Sequence, residues 1–136
     1  MAERVIIVHT LAQAMGACET AAALQTPLTL QSAPDAIFYA GSLYLLQLFA
    51  QAQAAFPGVK ITCILDCSDA GAEAISAMQI GHKHLRSSAA PEIKVKLADI
   101  AEQMGVMLHD NPYEALDLLT APDTKDACKK WLERDA

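Results

Sequence analysis

Two spacings of apolar residues alternate along the chain. Short runs of branched apolar residues are each followed by a longer stretch with apolar residues three and four apart, which predicts strands alternating with helices. The first strand is expected at Arg4 to Val8. Thr10 then suits an N-cap for a helix over Leu11 to Leu24, with Leu11, Met15, Cys18 and Ala22 on one face. Pro27 ends that helix, and Leu28 to Leu30 form a second strand. Ser32-Ala-Pro34-Asp35 reads as the start of one long helix reaching Phe56, because proline fits the first helical turn. Pro57-Gly58 closes it and feeds a third strand, Val59 to Leu65. Ser68 or Asp69 would cap the next helix, stopped by Gly81. A fourth strand is expected over Lys83 to Arg86. A helix follows from Pro91 to Met104, stopped by Gly105, and then a fifth strand, Val106 to Leu108. Asn111-Pro112 predicts a short helix through Leu119, and Pro122-Asp123-Thr124 opens a last amphipathic helix to the terminus.

This alternation is that of a single α/β domain: parallel strands, right-handed crossovers and helices on both faces of the sheet. Five units suit a flavodoxin-like sheet of order 2-1-3-4-5, since an eight-fold barrel needs about 250 residues. The chain has 136 residues, enough for one domain.

Composition narrows the function. A formal charge of -6, with no basic cluster, argues against a nucleic-acid partner. No stretch reaches the ~18 apolar residues of a membrane span, and Val5 to Val8 is too short for a signal segment, so a cytoplasmic protein is expected. The four cysteines are then expected to be free thiols; Cys63 and Cys67 have neither redox nor zinc-knuckle spacing. His82 and His84 have the spacing of two metal ligands on a strand but fall at its amino end, so no metal is expected. Neither G-x-G-x-x-G nor a Walker lysine motif occurs, and no cofactor is expected.

In an open parallel sheet, ligands bind outside the carboxyl ends of the strands. Those ends carry His9 and Thr10, Gln31 and Ser32, Asp66 to Asp69, Arg86 to Ser88, and His109 to Asn111. Capping accounts for the hydroxyl residues one by one. None of His9, Asp66, Arg86 and His109 is a preferred strand-end residue, and the four should converge on one rim. The candidate ligand-binding set is therefore His9, Thr10, Asp66, Ser68, Arg86 and His109. It fits a non-catalytic binding or regulatory module that recognises a small polar ligand or a protein partner. The alternative is a small enzyme using His9, Asp66 or His109 as acid or base, with Arg86 holding an anionic substrate.

Two families are resembled in part. Asp66, Ser87 or Ser88 and the Pro112 turn are similar to a response-regulator receiver domain, which implies a flavodoxin-like fold. His9-Thr10 replaces the acidic pair and His109 replaces the lysine of that family, so the resemblance does not extend to phosphotransfer. Within residues 66–119, Ser68-Asp69-Ala-Gly71, Pro91-Glu92-Ile93 and Glu114-Ala-Leu116 resemble the anti-sigma-factor-antagonist (STAS) family, which implies a STAS-like α/β fold. Taken whole, the chain also resembles a group of small bacterial α/β proteins.

The stretch from Asp35 to Phe56 is apolar nearly all the way round. Ile37, Gly41, Tyr44, Leu45, Leu48 and Ala52 would face the sheet. Tyr39, Leu43, Leu46 and Ala50 make a second stripe, expected either to pair two copies as a homodimer or to receive the terminal helix.

Overall fold

The structure is a computed structural model and describes residues 3–121 and 123–134. The elements are β1 (Glu3–Val8), α1 (Leu11–Leu24), β2 (Leu28–Ser32), α2 (Ala36–Tyr39), α3 (Ser42–Ala55), β3 (Ile61–Asp66), α4 (Gly71–Ile80), β4 (His84–Arg86), α5 (Pro91–Met104), β5 (Met107–His109), β6 (Tyr113–Asp117), a 3-10 turn (Leu118–Thr120) and α6 (Thr124–Glu133). The α/β class holds, with six parallel strands rather than five.

The sequence-based expectation is corrected in four places. The segment after Pro112 is a strand, not a helix: its inner positions Tyr113, Ala115 and Asp117 alternate with Glu114 and Leu116, and it pairs along β1 from Glu3 to Ile7. The long helix from Pro34 divides at Gly41, whose φ of +88° lies where a helix cannot continue. Neither Ser68 nor Asp69 caps a helix; Ala70 occupies that position ahead of α4. Pro122, part of the expected start of the last helix, lies outside the described residues, and the cap there is Asp123.

The fourth correction is to the topology. The strand order is β5-β4-β3-β2-β1-β6, so from β1 to β5 each crossover moves one strand in the same direction. Right-handed crossovers that never reverse put every helix on one face. In accord with this, α6, α1, α3, α4 and α5 pack side by side in the order of the strands they flank. The outward strand positions Ile6, Val8, Leu28, Leu30 and Cys63 bury against α1, α3 and α6. Leu65 and Leu85 bury against α4 and α5. Helices on both faces are ruled out by the inner positions. Thr29, Gln31, Thr62, Asp66, His84, Arg86, His109 and Asp117 share the other face by register with Val5, Ile7 and Ile64, a mixture unlike the continuous apolar face that a second helix layer needs.

The sheet is also rolled. β5 and β6 are its two edges, yet only residues 110–112 separate them. Six flat strands would hold the edges ~24 Å apart at 4.8 Å per step. Four residue steps from His109 to Tyr113 reach at most ~14 Å. Residues 107–117 therefore form one interrupted strand, its first piece on β4 and its second on β1. Inside the roll, Val5, Ile7, Ile64 and Gln31 are buried.

Candidate functional site

Register sets the centre of the site. Asp66 pairs with Arg86 and Arg86 with His109, so one row crosses β3, β4 and β5 at their carboxyl ends, all on the inner face. In front of it opens a cleft of about 620 Å³, lined by Asp66, Ser68, Arg86, Ser87, Ser88, Lys94 and the segment His109 to Tyr113, with Pro34 at its edge.

Arg86 is only 7% exposed. Its Nε donates to Gln31 Oε1 at 2.8 Å and its Nη1 to the Asn111 carbonyl at 3.1 Å. The guanidinium carbon lies 4.0 Å from the centre of the Tyr113 ring. The side chain thus crosses the interior from β4 towards β6, held flat on an aromatic face. Gln31 is fully buried, and its Nε2 has no hydrogen-bond partner.

Asp66 is 6% exposed. Its Oδ1 accepts the Ser68 N–H at 2.8 Å, and its own N–H donates to Ser32 Oγ at 2.9 Å. Burial pushes the carboxyl above its ordinary value, Asp35 adds to the rise, and the Ser68 hydrogen bond and Arg86 only partly offset it. Ser68 has a positive φ of 50°, and its hydroxyl bonds the Pro34 carbonyl and lies 3.2 Å from Asp35 Oδ1. The turn is stitched to the next loop by Ser88 N–H, which donates to the Ser68 carbonyl at 2.8 Å. Across the mouth, Lys94 Nζ pairs with Asp110 Oδ1 at 3.2 Å. His109 Nε2 stands 3.0 Å from His84 Nδ1.

Four of the six residues singled out from sequence, Asp66, Ser68, Arg86 and His109, line this cleft. His9 and Thr10 do not. His9 Nε2 meets Asp117 Oδ1 at 2.7 Å and its N–H donates to Gln13 Oε1, which fastens β1 to the end of β6. Thr10 caps α1 by accepting the Gln13 N–H. His82 and His84 part company: His82 is buried and bonds the Ser42 carbonyl at 2.7 Å, whereas His84 faces inward. Tyr113 and Lys94 were not read as site residues. Tyr113 falls in the stretch expected as a helix, and Tyr113-Glu-Ala-Leu-Asp117 has no apolar–polar alternation to mark it as a strand.

The four cysteines are free and buried. Among the described residues no three His, Cys, Asp or Glu side chains gather as a metal site, and no helix is long and apolar enough to cross a membrane.

No protein family and no curated protein is matched by the chain. Among solved structures, it is similar to a chain described as a fructose-1,6-biphosphate aldolase from Coccidioides immitis, with a TM-score of 0.63 and 22% identity. The match covers 79% of this chain and 40% of that one, so this chain spans less than half of its length. A likeness at that identity bears on the α/β fold alone.

Proposed function

We propose that the rim cleft recognises a small anionic or polar molecule and that the chain is a binding or regulatory module in a reducing, cytoplasmic setting. The observation that carries this reading is Arg86: a nearly buried cation, fixed by Gln31, Asn111 and Tyr113, at the wall of an open cleft. A charge held in place loses little freedom when a ligand arrives, which favours binding. Ser87, Ser88 and Asn111 supply polar groups around it, and Lys94 adds a second cation at the mouth.

The test is a melting screen with phosphate esters, dicarboxylates and neutral sugars. A ligand bound only by the folded chain raises the midpoint. Anions should raise it in wild type and not in Arg86→Met; a screen in which no class moves the midpoint contradicts the reading.

A second reading is favoured by Asp66 alone. A buried carboxyl with a raised pKa, beside a cation in a cleft, suits acid–base work on an anionic substrate, with His109 as the alternative group. Turnover of phosphate esters or dicarboxylates by the chain would decide for it.

The assembly we infer is a homodimer through α2 and α3. Tyr39 is 72% and Leu43 57% exposed, with Phe38 and Tyr44 beside them in a stretch, residues 36–58, that carries no charge. The terminal helix does not cover this face; it packs on α1, with Lys125 pairing Glu19.

A further inference from the structure

We propose that the imidazoles of His84 and His109, with the thioether of Met107, form a binding site for one copper(I) ion on the inner face of β4 and β5. His84 Nδ1 and His109 Nε2 face each other at 3.0 Å, with ring centres 5.2 Å apart. Two imidazole nitrogens that share one proton are placed as a metal ion would need them. Bonds of 2.0–2.1 Å at the ~120° angles of a three-coordinate ion set the two nitrogens ~3.5 Å apart, an opening of about half an ångström.

Strand register puts a third donor on the same face. Met107 is the register partner of His84 and lies two residues before His109, so all three side chains leave the same face of the sheet. Met107 is 57% exposed, so its side chain is open to solvent.

Two observations select copper(I). A thioether is a soft ligand that favours copper(I), whereas imidazole alone suits several ions. Arg86 is the register partner of His109, and a neighbouring guanidinium opposes a doubly charged ion about twice as strongly as a singly charged one. The four thiols do not compete in the folded chain. All are buried, and burial holds them as neutral thiols, Cys63 and Cys67 pushed up to about 12.

The test is a titration of the full-length chain with copper(I) under ascorbate and without oxygen, against a chromophoric copper(I) chelator. One copper(I) per chain should be withdrawn from the chelator. His84→Ala and His109→Ala should each weaken binding by more than ~10-fold, the loss that even an outer partner of a metal ligand produces. Met107→Leu, a near-isosteric change at an exposed position, should weaken it without touching the fold, and Met104→Leu on α5 should not. Circular dichroism of each variant checks folding. The proposal is overturned by a chain that withdraws no copper(I), by binding that survives loss of both histidines, or by equal affinities of Met107→Leu and wild type.

Discussion

The guanidinium carbon of Arg86 stands 4.0 Å from the centre of the Tyr113 ring, although three strands separate β4 from β6 in the sheet. This contact spans the interior of the roll and joins its two halves. On its way Arg86 supplies the hydrogen bond that Gln31 Oε1 receives. Arg86→Met should therefore cost about 1–3 kcal/mol, because a fully buried amide with one unpartnered end gains a second. A double-mutant cycle with Tyr113→Leu should return a coupling of about 1–2 kcal/mol for the desolvated stack. Urea unfolding of the four proteins measures both, and additive effects would show that the stack contributes nothing.

Asp66 sets a pH dependence. Its folded-state pKa is raised chiefly by burial, so the folded chain prefers the protonated acid. That contribution is complete below the ordinary value of 3.8 and is lost as pH rises through the raised value. Asp66→Asn keeps an oxygen for the Ser68 N–H and removes the buried charge. It should be more stable than wild type at pH 7, by a margin that shrinks towards zero near pH 3. Denaturant midpoints across that range test it; a variant less stable than wild type at pH 7 would mean that the charged form is favoured.

The thiols should be silent until the fold opens. Burial pushes Cys18 and Cys128 up to about 11 and the other two to about 12. A chromogenic thiol reagent at pH 8 should find none reacting quickly in the native chain and four after denaturation without reductant.

Alternation of strands and helices was legible from the spacing of apolar residues, and the five strands expected from it lie within two residues of their places. Topology depends on the two faces of the sheet, which the alternation of strands and helices alone does not show. Leu28-Thr-Leu-Gln31 and His84-Leu-Arg86 alternate apolar and polar residues, and a sheet covered on both sides has no use for buried Gln31 or Arg86. That alternation already pointed to one helix layer and a polar interior. The Asp66–Arg86–His109 row followed from the rule that strand ends hold the site. The pairing of His84 with His109 did not, since it depends on β4 and β5 being neighbours in register, which no local pattern encodes. His9 was misassigned for the same reason: Asp117, its partner, sits on a strand that had been read as a helix.

The exposed stripe on α3 leads to an assembly experiment. Leu43→Glu with Leu46→Glu should turn a dimer into a folded monomer by placing charge in the interface. Leu43 is exposed in the single chain, and Leu46 is half-buried near Gly81. Light scattering at micromolar concentration reads the outcome. A monomeric wild type, or a double variant that unfolds, would place the stripe outside any interface.

Amide chemical-shift mapping of the labelled chain tests, residue by residue, whether the rim cleft is the place where a small anion binds. Titration with the anion that most raises the melting midpoint should move the amides of Asp66, Ser68, Ser87, Ser88 and Asn111, which line the cleft on both sides of Arg86. The amides of α1 and α6, on the outer layer, should stay in place. Shifts confined to α1 and α6, or none at saturating anion, would contradict the account.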